Sequence, residues 1–522
     1  MTDRNRVIII GAGHNGLVCA AYLAKAGCDV LVVEASDRVG GAAVTREFSP
    51  GYRVSACAHL SYLLDATISR ELALAEHGLK TARANLRTVA LAAEGDHLVF
   101  NGGQLEGGVL PEPDRAALAG YHASMLKFAR VLGKQHNRRP PRIAGGGRAE
   151  AMGAALLGLD IRLLGRDSMR EFLRIAGINI FDVLEETFES PLLKGALALD
   201  AVLGTNLGPR SNNSVLTLLH RLSGAATGVV GGLSLPEGGM GAVSDALAAA
   251  ARASGAKVRT GNPVARITLD GDKVSGVELE GGEQLAAGTV VSNADPARTL
   301  LQLLGARHLE TGFVHRVRHF RTKGMAAKLH LALDGLPDFS RLRAELAGER
   351  LVVAPDLGYI ERAFDAAKYG QCSPDAALEI TLPSVHDRTL APSGKHVLSA
   401  IVQYAPFDPR ASSDSARAEF LERTLGVLER YAPGLRRQVV ASELLLPADI
   451  EREFRITGGH WHHGELALDQ FLMLRPVPGA AQYAMPVKGL YLCGAGGHPG
   501  GGVMGSAGKN AAKAVVGGER AT

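Results

Sequence analysis

The chain has 522 residues, which is enough for two or more domains with ample core. Hydrophobic residues make up 46% and charged residues 21%, as in a folded globular protein, and the formal net charge of +4 gives no argument for nucleic acid. Five cysteines, none in a Cys-x-x-Cys pair, exclude a disulfide framework and a redox dithiol, and fit a reducing, cytoplasmic compartment. No Arg- and Ser-rich presequence precedes the first strand, and no uninterrupted apolar run reaches the ~18 residues of a spanning helix.

Residues 7–10 (Val-Ile-Ile-Ile) form a short all-apolar run, the pattern of a parallel strand buried on both faces. Gly11-Ala12-Gly13-His14-Asn15-Gly16 follows directly. In this Gly-x-Gly-x-x-Gly turn the first glycine permits the tight turn and the second lets backbone approach a pyrophosphate. The third lets the next helix pack close to the strand. A helix N-terminus at His14 and Asn15 offers free N–H groups to the phosphates. The helix runs to a terminator at Gly27, and residues 29–33 (Asp-Val-Leu-Val-Val) read as the second strand. That strand delivers Glu34 about twenty residues after the glycines, where a carboxylate accepts from a ribose hydroxyl. A dinucleotide site is therefore expected on Gly11, Gly13, His14, Asn15, Gly16, Glu34 and the following Ala35.

Glu34 is followed by Ala35-Ser36-Asp37-Arg38-Val39-Gly40-Gly41. Strand, glycines, acid and paired glycines together resemble the extended fingerprint of the amine oxidase and phytoene desaturase class of flavoproteins. The resemblance implies FAD, with Gly40 and Gly41 near its pyrophosphate and ribityl chain. Many relatives carry Arg directly after the paired glycines; this chain has Ala42, which leaves Arg38 as the basic candidate for a phosphate contact.

Residues 236–296 open on Pro-Glu-Gly-Gly-Met-Gly and continue as a helix over 243–254 with Gly255 as terminator. Strands follow at 257–260, 264–267 and 273–280, with Gly281-Gly282 as a hairpin turn, and residues 289–296 (Thr-Val-Val-Ser-Asn-Ala-Asp-Pro) end the block. On composition alone this is a plain packing unit. The resemblance implies a second FAD segment, in which the backbone of Val264 meets the adenine.

At the C-terminus, residues 489–493 again read as a buried strand. Gly494-Ala495-Gly496-Gly497-His498-Pro499-Gly500-Gly501-Gly502-Val503 makes a compact turn, and a helix is expected over 503–516. In the flavoprotein class this segment contacts ribityl and isoalloxazine, which implies Gly494, Ala495, Gly502 and Val503 as cofactor residues. Ala495 stands where many relatives have Asp. This string, with Gly458-Gly459-His460-Trp461-His462-His463-Gly464-Glu465-Leu466, resembles the phytoene dehydrogenase-like branch typified by pyridine nucleotide-disulfide oxidoreductase domain-containing protein 2.

His460, His462, His463, Glu465 and Asp469 fall in one short segment. Adjacent His462 and His463 point differently in any regular element, so no metal site is expected. The catalytic candidates are His498, placed by the turn toward the flavin, and His460 and His463 beside a substrate cavity; for each, structural hydrogen bonding is the competing role. Trp461 walls a cavity or belongs to the core. His59, in a loop-like position after the paired glycines, is a weaker candidate and reads first as structural.

The expected fold is α/β: a Rossmann-like FAD-binding domain assembled from 1–70, 226–300 and 451–522, with an α+β substrate-binding domain from 71–225 and 301–450. Helices at 169–176, 180–189 and 415–431, a strand at 327–333 and a Gly/Pro/Arg loop at 137–149 are expected in the latter. Apolar helix faces in 151–200 fit core, a subunit interface in a homo-oligomer, or peripheral membrane contact. No second Gly-x-Gly-x-x-Gly follows a strand, which disfavours a separate NAD domain and leaves oxygen, a quinone or another protein as electron acceptor. The expected activity is hydride transfer from a C–C or C–N bond of an apolar or extended small molecule to flavin N5. A redox-neutral flavin isomerase or saturase, and a flavin-binding scaffold without turnover, are the alternatives.

Overall fold

The computed structural model describes residues 6–142, 147–407 and 413–518. Gly145 and Gly146 of the expected 137–149 loop lie outside the described residues. Among the described residues no helix is long and apolar enough to cross a membrane.

Five parallel strands form one sheet in the order Lys257–Arg259, Asp29–Val33, Arg6–Ile10, Thr289–Ser292, Leu490–Leu492. Side chains alternate along each strand. Val7 and Ile9 face a cluster with Leu17, Val18 and Leu247, whereas Ile8 and Ile10 face Val264, Ile267 and Leu300. Both faces are thus dry, which explains the unbroken apolar run. Helices His14–Lys25, Gly241–Ala253 and Ser506–Val516 cover the first face. A small antiparallel sheet of Val264–Asp270, Lys273–Leu279 and Gln284–Ala286 covers the second. Because the five strands run the same way, their C-terminal ends meet at one edge, where ligand crevices form in such sheets.

A second sheet of eight strands runs Val439–Leu445, Ala326–Leu333, His396–Gln403, Ala377–Thr381, Arg350–Val353, Thr88–Ala90, Leu98–Asn101, Gln104–Gly107. Its pairings are antiparallel except that between Arg350–Val353 and Thr88–Ala90. Helices Glu112–His136, Pro191–Val202, Ser214–Leu222 and Leu357–Lys368 pack on it and on one another.

Two helices differ from expectation. The helix expected over 180–189 is Ile180–Glu185. The Asp114 carboxylate accepts the Glu189 and Ser190 N–H groups at 2.7 Å, and Ser190 caps the next helix, Pro191–Val202, so the chain turns before Pro191. The C-terminal helix begins at Ser506, not Val503, because Gly505 sits at φ +81° and breaks the helix path.

Candidate functional site

A cavity of about 530 Å³ opens at the C-terminal edge of the parallel sheet. Gly11, Gly13, His14, Asn15, Glu34, Ala35, Arg38, Gly40, Gly41, Ala42, Val264 and Ala495 of the expected cofactor residues line it, as does His463. Gly11 needs its φ of +94° to turn the chain out of the first strand. Gly40 donates its N–H to the Ala12 carbonyl at 2.9 Å, and a Gly13–Gly40 bridge pulls the paired glycines back onto the first turn. The Glu34 carboxylate accepts from the N–H of Ala12 at 2.5 Å and of Ser36 at 2.9 Å, which aims it along the cavity wall.

Gly16 and Gly494 lie behind the cavity wall. A Cβ on Gly16 would sit 2.2 Å from the Gly11 carbonyl oxygen, and one on Gly494 2.5 Å from that of Asn293, so both serve close backbone packing. Gly502 and Val503 belong to the adjoining inner cavity described below.

The cavity suits a dinucleotide. Asn15 is buried with both amide atoms unpartnered, as are His14 Nε2 and His463 Nδ1. Buried polar atoms are rarely left unpaired without a ligand or water to meet them. Burial lowers His14 and His463 to about 4, so both imidazoles are neutral donors or acceptors at pH 7. Arg46, Asn293 and Arg298 also line the wall, and none stood out in the sequence. Arg46 is held by Glu443 and Glu453, whereas the Arg298 guanidinium has no hydrogen bond or ion pair among the described residues.

An inner cavity of about 90 Å³ abuts the first and shares His14, Ala42 and Trp461 with it. Leu60, Tyr62, Leu203, Ile401 and Val503 give it apolar walls, and His59, Arg221 and Glu379 a polar side. Trp461 thus walls a cavity.

His59, read as structural from sequence, reaches Glu379 Oε1 with Nε2 at 3.0 Å. Arg221 donates to Glu379 Oε2, and Arg350 Nε does so at 2.5 Å. Burial works to raise Glu379, but Arg221 and Arg350 outweigh it and hold the carboxyl well below the usual range. Arg221 and Arg350 also bind Asp200. These two cations and two anions partition the inner cavity from an outer one of about 220 Å³, which Asp200, Arg221 and Arg350 line with Tyr121 and Met125.

Behind the inner cavity lies Lys328, fully buried, its Nζ without a partner. Burial pulls it down to about 7, against the opposing influence of Cys57 and Glu379. A lysine and a histidine within the otherwise apolar Ala326–Leu333 were the available signal, since buried strands seldom carry charge without a use.

His498 and His460 line none of these cavities. His498 Nε2 bonds the Gln135 carbonyl at 2.9 Å, which ties this ring to the long helix Glu112–His136, and its Nδ1 is buried without a partner. His460 faces Glu465 at 3.5 Å, and its Nδ1 lies 3.3 Å from the His462 N–H. His462 borders the inner cavity. Asp469, grouped with these histidines by sequence, is exposed and paired with Arg321. Arg475, buried, ties the segment together through the carbonyls of His462, Gly464, Glu465, Gln470 and Ala495.

The chain is similar to known proteins over nearly its whole length. The rat pyridine nucleotide-disulfide oxidoreductase domain-containing protein 2 is 34% identical, over 97% of this chain and 92% of its own length. The phytoene desaturase (lycopene-forming) of Pantoea ananas is 27% identical over 98% of both chains. A solved oxidoreductase of Methanosarcina mazei superposes with a TM-score of 0.61 at 19% identity, over 98% of this chain and 99% of that one. The profile of the flavin containing amine oxidoreductases matches residues 16–516. With that match over nearly its whole length, the chain belongs to the flavin-containing amine oxidoreductase family and is an FAD-dependent oxidoreductase.

Proposed function

We propose that the protein dehydrogenates an extended, largely apolar small molecule at a C–C or C–N bond, in the inner cavity. The observation that carries this reading is the contact between the two cavities. The large one fits a dinucleotide, and the small one adjoins it at His14, Ala42 and Trp461 with apolar walls and one polar side. When bound, FAD supplies a hydride acceptor at flavin N5. The glycine turn and the N-terminus of His14–Lys25 would hold its pyrophosphate and Glu34 its ribose, with Val264 at the adenine end.

The chain's residues then have three tasks. Leu60, Leu203, Ile401 and Trp461 exclude water and orient the substrate carbon. The Glu379 carboxylate is saturated by Arg221, Arg350 and His59, so it sets a fixed field and serves as no base. Dehydrogenation also releases a proton from the neighbouring carbon or nitrogen; Lys328 lines no cavity itself, but its charge acts on Cys57 and His59 of the inner wall, so it would take the proton by relay through that wall. The apolar substrate class is supported by the cavity walls and by the name of the Pantoea relative.

The test is anaerobic mixing of the FAD-loaded protein with a panel of isoprenoid hydrocarbons, long-chain amines and polyamines, followed by flavin absorbance. Bleaching by one apolar class supports the reading. Bleaching by short polyamines alone, or by none while dithionite still bleaches the flavin, overturns it.

A further inference from the structure

Helix Arg148–Arg162 is built inside out. Its acids turn inward: Glu150 accepts from Arg139, from the Arg142 N–H and from Gln482, and Asp160 from Lys134 and Arg138. Its outward face between the terminal arginines carries no charge, only Ala151, Met152, Ala154, Ala155, Leu156, Gly158 and Leu159. Met152 is 63% exposed, Leu156 40%, Leu159 50% and Leu163 70%, at a spacing that puts all four on one helix face. The next helix, Arg166–Gly177, adds Leu173 at 58%. A water-facing helix places its charges outward, and an exposed apolar face of this kind marks a contact surface.

The rim of the face selects the occupant. Arg148, Arg162, Arg166 and Arg170 are exposed and carry no ion pair among the described residues. Asp167 is the exposed acid among them, while Glu171 is tied to Arg174. A two-fold pairing of copies would press one set of arginines against its own image. A layer of anionic headgroups would neutralise them while the leucines enter the acyl boundary. We propose that Arg148–Arg162 and Arg166–Gly177 form the face by which this protein docks on an anionic lipid bilayer. The long helix Glu112–His136, which packs on Arg148–Arg162, also supplies Tyr121 and Met125 to the outer cavity. The docking proposal stands apart from the substrate reading and survives its failure.

Flotation of the FAD-loaded protein with phosphatidylglycerol/phosphatidylcholine vesicles tests it, with pure phosphatidylcholine as comparison. The wild type is expected to float with the anionic vesicles, and less so at high salt. Leu156→Glu/Leu159→Glu is expected to lower the bound fraction by about tenfold or more, with flavin absorbance retained as proof of folding. Should that variant not fold, Arg162→Gln/Arg166→Gln spares the apolar face and is expected to weaken anionic binding several-fold. Wild type that stays in solution, or charge variants that float like wild type, overturns the proposal. So does a wild-type dimer that Leu156→Glu/Leu159→Glu splits, which would assign the face to a second copy.

Discussion

Lys328 carries a stability cost that follows from its burial. Its amine is buried, unpartnered and lowered by burial from 10.5 to about 7. Above pH 10.5 the folded and unfolded chains are both neutral at this site, and it costs nothing. As pH falls toward 7 the unfolded chain takes a proton that the folded chain refuses, so stability drops; below 7 the deficit is constant. Lys328→Met should therefore raise the melting temperature at pH 7 and flatten its dependence between pH 10.5 and 7. The gain is on the order of a few kcal/mol. The same change should slow substrate-driven flavin reduction. Parallel melting curves of the two proteins across this pH range decide it, and equal slopes would sink the argument. Glu379→Gln is expected to act the other way. It weakens the counter-charge shared by Arg221 and Arg350 and should cost about 3 kcal/mol or more in urea unfolding, the scale for breaking a buried pair.

At the scale of elements, the strand–turn–helix unit was legible because its logic is local. The run 7–10, the three glycines and Glu34 lie within thirty residues, and each has a steric or hydrogen-bonding reason for its place. Two glycines of this unit should separate cleanly by mutation. Gly16→Ala sets a Cβ 2.2 Å from the Gly11 carbonyl, so the helix cannot close on the strand; loss of FAD and of folding yield is expected. Gly27→Ala meets nothing within 4 Å and bears only its φ of +86°, so a loss of about 1 kcal/mol with FAD retained is expected. Equal flavin content in both purified variants would contradict the packing account. The C-terminal turn was less legible. Which way His498 faces is fixed by the Gln135 carbonyl, more than three hundred residues earlier in the chain, and no local pattern encodes that.

Across the whole molecule, the inner cavity and its ionic partition are assembled from distant strands and helices. Glu379, Arg221, Arg350, Asp200, His59 and Lys328 come from six separate elements or loops, so neither spacing nor periodicity brings them together on paper. Charged residues inside the apolar strands Ala326–Leu333 and Ala377–Thr381 were the visible hint. The resulting arrangement is a cofactor cavity, an inner compartment, an ionic partition and an outer cavity. It predicts that the reaction depends on the inner compartment being empty of protein atoms. Leu203, on its wall, does not line the larger cavity that fits the dinucleotide.

The most direct measurement compares anaerobic flavin reduction in wild type and Leu203→Trp with a substrate that bleaches the wild type. Leu203→Trp should retain the oxidised flavin spectrum and reduction by dithionite, while substrate-driven bleaching slows by at least about a hundredfold as the added ring fills the compartment. Substrate-driven bleaching at the wild-type rate would place the chemistry elsewhere and contradict the account.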